Sequence, residues 1–99
     1  MVVWTRTAKR DLRAIFDFIS HDSRSNALKM VELILEKSNL LTTHPFMGRK
    51  VPEVKRSRIR EIQVQPYRLI YEVQVDEIQI LAIIHSRRSF LLTWKNRQI

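Results

Sequence analysis

The chain has 99 residues, 44% hydrophobic and 28% charged, a composition that fits one small globular domain and excludes a disordered or fibrous chain. Eighteen Lys and Arg against ten Asp and Glu give a formal charge of +8 and a pI near 10.6, so polyanions and acidic proteins are the partners its field attracts. No cysteine is present, which excludes disulfides, thiolate zinc sites and a cysteine nucleophile and fits a cytoplasmic location. The longest apolar run, Ile80 to Ile84, is too short to cross a bilayer, and Met1 to Arg6 lacks the apolar core of a signal peptide.

Val2 to Thr5 reads as a short strand. Thr7 is placed to cap a helix beginning at Ala8. Ala8, Leu12, Ile15, Phe16 and Ile19 recur at helical spacing, with Lys9, Arg10, Arg13 and Asp17 elsewhere on the wheel. Ser20 to Ser25 is polar turn material. A second helix is expected from Asn26 to Thr42, with Ala27, Met30, Val31, Ile34 and Leu41 on one face. His44 and Pro45 end it, because proline disfavours helix in the residue before it.

The segment from Arg49 to Arg60 holds six cations and one carboxylate, Glu53. Three strands follow: Ile59 to Val64, Tyr67 to Val75 and Ile78 to His85, the last two joined by a tight turn at Asp76 and Glu77. The order βααβββ predicts a single α+β domain, a two-helix hairpin packed on one face of a mainly antiparallel four-stranded sheet. Alternation puts Tyr67, Leu69, Tyr71 and Val73 on the core face and Arg68, Ile70 and Glu72 on the other, which no helix remains to cover. The last strand is apolar on both faces over most of its length, so it is expected in the sheet interior. The face taken by His85 and Arg87 is not fixed by the pattern. Ser89 to Ile99, with Phe90 and Trp94 among cations, reads as an amphipathic arm or as a tail folded back on the core.

Several stretches together resemble the RelE/ParE superfamily of small bacterial toxins. They are Trp4 to Ile19, the turn from His44 through Pro45 and Gly48 to Arg49, Val51 to Glu53, Ile59 to Glu61, Tyr67 to Val73 and Ile80 to Arg88. The resemblance covers the chain to about Arg88, making 1–88 the toxin domain and 89–99 its C-terminal arm. It implies a type II toxin–antitoxin system, with a cognate acidic antitoxin that silences the toxin by binding. It also implies one of two targets. RelE-like members enter the ribosomal A site and cut mRNA without a metal; ParE-like members inhibit DNA gyrase and are not nucleases.

RNA cleavage by 2′-hydroxyl attack needs a proton acceptor, charge stabilisation on the phosphate and a proton donor to the leaving oxygen. Arg68 matches by position the arginine of the ribonuclease members, and a guanidinium suits phosphate. A structural alternative pairs it with Glu61 or Glu72. His85 is the candidate acid or base. Glu53 resembles a proposed catalytic glutamate, and Arg88 follows the last strand where RelE-like members place functional groups. Lys50, Lys55, Arg56, Arg58, Arg60 and Arg87 are the candidate RNA-binding cations. The chain departs from the ribonucleases in having no tyrosine after Tyr71 to stack on a base.

No histidine spacing suggests a metal site, and no glycine-rich loop suggests a nucleotide cofactor. Three readings follow: a ribosome-dependent mRNA endonuclease first, a non-enzymatic gyrase inhibitor second, and third an inactive toxin kept as an antitoxin-binding module.

Overall fold

The computed structural model describes residues 1–90. Strand β1 (Val2–Trp4) leads into helix α1 (Arg6–Ser20) and helix α2 (Arg24–Asn39), and a 3-10 turn (Leu40–Thr42) ends the helical hairpin. Strands β2 (Arg49–Lys50), β3 (Ile59–Val64), β4 (Tyr67–Val73) and β5 (Ile78–His85) follow. One sheet holds them in the order β1-β5-β4-β3-β2, antiparallel except that β1 runs parallel to β5. The class and the helical hairpin are as expected. The sheet has five strands rather than four, because Arg49 and Lys50 pair with Glu61 and Arg60 instead of lying in a loop.

Element ends differ from the expected ones for identifiable reasons. Thr5, not Thr7, caps α1: its hydroxyl accepts the Ala8 N–H at 3.2 Å and donates to the Ile80 carbonyl at 2.8 Å. One side chain thus starts the helix and ties it to β5. Ser23 caps α2 by accepting the Asn26 N–H at 3.2 Å, so the inter-helix turn is shorter than Ser20 to Ser25. β4 stops at Val73 rather than Val75, since the Gln74 N–H donates to the Glu77 carbonyl at 2.9 Å and closes the turn.

Two apolar layers flank the sheet. Ala8, Ile15, Ile34 and Leu41 from the hairpin pack on Leu69, Tyr71, Val73, Ile78, Ile80 and Ile83. The β4 alternation therefore reads as expected, with Tyr67 packed against the same layer. The opposite face, expected to be open, is covered without a helix. Val51, Val54 and the fully buried Phe90 lie on Ile59, Ile70, Leu81, Ala82 and Ile84. Phe90 is thus folded back on the core, while Trp94 and the rest of the arm lie outside the described residues.

β5 contains one residue more than its partner. Ile70 faces Ala82 and Tyr71 faces Ile80, leaving Leu81 as a bulge. Ile78 and Ile80 point to the helices; after the bulge Ile83 does so too, and Leu81, Ala82 and Ile84 point away. His85, opposite Tyr67, therefore takes the helix-side face. Among the described residues no helix is long and apolar enough to cross a membrane.

Candidate functional site

The candidate catalytic residues gather where β4 begins and β5 ends, but on two sides of the sheet. Arg68 rises from β4 into the second layer and is only 5% exposed. A guanidinium offers five N–H donors, and each has an acceptor. Nε donates to Glu61 Oε1 at 3.1 Å, and Nη2 donates to the same oxygen and to Glu53 Oε1 at 2.8 Å. Nη1 donates to Glu53 Oε2 and to the Arg88 carbonyl, both at 3.0 Å. The pairing with Glu61 that the sequence left open is present. The one with Glu72 is not, since Glu72 instead pairs with Arg56 at 3.1 Å.

Glu61 is fully buried, and its second oxygen accepts from Arg49 Nε at 3.0 Å and from Gln63 at 3.1 Å. Glu53 anchors the loop over the sheet. Its Oε2 also accepts the Phe90 N–H at 2.9 Å. The Arg68 hydrogen bonds hold its carboxyl down to about 2, against partial burial and with help from the Phe90 N–H. Such a group is a poor proton acceptor near neutral pH, because it stays ionised until strongly acid conditions. The two carboxylates in turn raise Arg68 above the ordinary guanidinium range, Glu53 contributing most.

His85 stands across the sheet from this network. Its ring meets Tyr67 edge-on with centroids 6.1 Å apart, and its Nδ1 accepts the Arg87 N–H at 3.2 Å, closing the turn after β5. Burial raises the Tyr67 hydroxyl above its usual range. The pairing Tyr67 to His85 and Arg68 to Ile84 puts the histidine and the arginine on opposite faces. The sequence candidates Arg68 and Glu53 are thus brought together, and His85 is not with them. Arg88 borders both sides. It lines a cavity of about 370 Å³ with Arg49, Gln63 and Arg87, and a second of about 310 Å³ with His85.

The basic segment is largely spent on the fold. Arg56 pairs with Glu72, and Arg58 Nη1 donates to the Val73 carbonyl at 3.1 Å. Arg60 donates to the Ser57 and Gly48 carbonyls, each at 3.0 Å, and lies 4.9 Å over the Phe46 ring. The side chains of Lys50, Lys55, Arg87 and Arg88 make no hydrogen bond or ion pair among the described residues, and all four residues are exposed. Asp11, part of the Trp4 to Ile19 stretch that carries the resemblance, was assigned no role, yet its Oδ2 accepts the Ile83 N–H at 2.9 Å. A carboxylate on the polar side of an amphipathic helix has no local signal; only the placing of α1 beside β5 gives it this role. Among the described residues, no group of three or more His, Asp or Glu side chains is arranged to hold a metal ion.

The βαα unit, the sheet order and the ion-paired arginine at the start of β4 define a small α+β domain with Arg49, Arg87 and Arg88 around one cavity at a sheet end. The family model for the ParE toxin of the type II toxin–antitoxin system, parDE, matches residues 2–90, and the chain belongs to that family. A solved structure of the chromosomal ParDE TA system from P. aeruginosa is similar, at 31% identity and a TM-score of 0.70 over 85% of this chain and 92% of that one. The comparison with curated proteins gives no match. The superfamily and fold expected from the sequence therefore stand, at the level of a ParE-type toxin.

Proposed function

We propose that this toxin acts by binding an essential protein, DNA gyrase, and not by cutting RNA. The observation that carries the reading is the commitment of all five Arg68 N–H donors to Glu53, Glu61 and the Arg88 carbonyl. A phosphate has no donor left to take there without displacing the partly buried Glu53 or the buried Glu61. Uncompensated charge of that kind costs several kcal/mol, on the order of 3–5. The separation of His85 from Arg68 and the ionised state of Glu53 weigh the same way. The alternative reading, the ribosome-dependent endonuclease, keeps one observation in its favour. Arg87 and Arg88 line the cavity of about 370 Å³ together with Arg49, Arg68 and Glu53, and guanidinium groups suit phosphate.

The test runs both assays on one preparation. Gyrase supercoiling is measured against toxin concentration, and mRNA 5′ ends are mapped by primer extension after addition to a defined translation system. Blocked supercoiling with intact mRNA is the expected result. New 5′ ends at the ribosomal A site, with supercoiling untouched, overturn the reading in favour of the endonuclease. No effect in either assay, with harmless overexpression, leaves the third reading, a toxin kept as a binding module.

In each case the partner is a cognate acidic antitoxin. Lys50, Lys55, Arg87 and Arg88, exposed and without ion pairs among the described residues, and a charge of +8 support attraction to an acidic segment that folds on contact.

A further inference from the structure

Most cations of the basic segment are tied into the fold; the two that follow β5 are not. Arg87 and Arg88 are exposed, and their guanidinium groups meet no carboxylate among the described residues. Their backbone, by contrast, is fixed three times. The Arg87 N–H donates to His85 Nδ1 at 3.2 Å, the Arg88 N–H donates to the His85 carbonyl at 2.9 Å, and the Arg88 carbonyl accepts from Arg68 Nη1 at 3.0 Å. Two guanidinium groups thus project from a held turn, where less order remains to be imposed on binding. Both line the cavity of about 370 Å³, together with Arg49, Arg68, Glu53 and Gln63. Arg49 turns Nε and Nη2 toward Glu61 Oε2, each at 3.0 Å, yet its side chain is 64% exposed. Four guanidinium groups meet two carboxylates here, Glu53 and Glu61, an excess of two positive charges. Planar forks of donors with such an excess match the oxygens of a phosphodiester. Among the described residues that line the cavity none is aromatic. Single-stranded RNA is held largely by stacking its bases on aromatic rings, so a site without rings is left with the backbone. Contact with the backbone alone fits a duplex, which turns its phosphates outward.

We propose that Arg87 and Arg88, with Arg49 beside them, bind backbone phosphates of duplex DNA and leave the strand uncut. Arg68 takes no part in the contact, since its donors stay on Glu53, Glu61 and the Arg88 carbonyl. Holding a phosphate and cutting beside it are therefore separate matters in this chain. The inference rests on the gyrase reading above for where the duplex is met: a toxin seated on gyrase anchors itself to the DNA that the enzyme holds. The cations that the endonuclease reading counted in its favour then serve the gyrase reading instead.

Fluorescence anisotropy of a short labelled duplex, titrated with the full chain at several salt concentrations, tests the contact. The double variant Arg87→Gln, Arg88→Gln keeps every backbone bond of the turn. It is expected to bind the duplex at least tenfold more weakly at about 0.1 M salt, and to lower the slope of log affinity against log salt by about two, one for each lost phosphate contact. Lys29→Gln removes one exposed charge from α2, on the other side of the sheet, and is expected to change neither quantity. In the supercoiling assay the double variant is expected to need at least tenfold more protein than the parent chain for the same inhibition. A double variant that binds the duplex like the parent chain overturns the phosphate site and leaves the gyrase reading standing. Duplex binding that depends on these arginines, with supercoiling untouched by the parent chain, supports the site and overturns the gyrase reading. Single-stranded RNA bound more tightly than the duplex, with the same dependence on Arg87 and Arg88, overturns the assignment to DNA.

Discussion

Arg68 is the residue on which the readings divide, and its environment makes distinct predictions. Removing a buried charge from its partners costs about 3–5 kcal/mol, because the partners stay behind unpaired. Arg68→Ala is therefore expected to lower unfolding stability by about that much in urea titration, with Glu53 and Glu61 left facing each other. Arg68→Lys is expected to recover little of the loss, since an ammonium cannot reproduce the planar fork. An alanine variant as stable as the parent chain would place the arginine outside the structural frame. Loss of toxicity in such a variant counts as evidence for catalysis only after this stability loss has been corrected.

Glu53 carries the pH dependence. Its folded value near 2 lies below the ordinary 4.5, so the stability it contributes is fully present above the ordinary value and disappears as pH falls through the folded one. Unfolding stability is expected to drop by up to about 3 kcal/mol between pH 4.5 and 2. Glu53→Gln should flatten that part of the profile, measured by urea titration at several pH values. The pairing of Arg68 with Glu61 was open to reading from the sequence, because both lie on strands that alternation sets side by side. The pairing with Glu53 was not, since a loop carboxylate has no periodicity to say where it folds.

Among the elements, the turn from His44 to Arg49, one of the stretches that carry the family resemblance, has a structural explanation. The Tyr71 hydroxyl donates to the Pro45 carbonyl at 2.8 Å and accepts the Gly48 N–H at 3.0 Å. A Cβ at Gly48 would lie 2.5 Å from the Glu61 carbonyl oxygen and 2.7 Å from that hydroxyl. Histidine-proline and glycine at this spacing thus let the chain leave α2 and dock tightly against β3. Tyr71→Phe is expected to cost about 1–3 kcal/mol by stranding two buried backbone groups. Gly48→Ala is expected to lose stability as well, both read as shifts in the urea midpoint. β4 was legible residue by residue because its alternation is unbroken. β5 was not, because the extra residue at Leu81 moves every later side chain to the other face. Strict alternation from Ile78 would have set His85 beside Arg68, and a single bulge puts it with Tyr67 instead.

The whole molecule is a cation before it is anything more specific. With +8 on 99 residues, its attraction to the proposed acidic segment of its antitoxin is expected to be partly Coulombic and screened by salt. The dissociation constant is expected to rise as salt goes from about 0.1 M to about 1 M, measured by calorimetry. An affinity unchanged across that range would assign the contact to apolar burial alone. Charge, the helical hairpin, the three long strands and the helix-facing side of the sheet were legible from composition and periodicity; the two-residue strand β2 was not. The covering of the second face was not, because Val51 and Phe90 come from segments with no regular repeat.

The parallel pairing of β1 with β5 has a temporal consequence. Val2 waits for Ile78 and Trp4 for Ile80, so the first strand made has no partner until three-quarters of the chain exists. At about 5–20 residues per second, that interval is roughly 4–16 s of synthesis. Through it the apolar side of α1 has no completed sheet to rest on. A ribosome that stalls before Ile78 releases a product missing the strand between β1 and β4, and such a fragment is expected to be harmless. Any activity that needs the complete sheet is thereby expected only once β5 has been made.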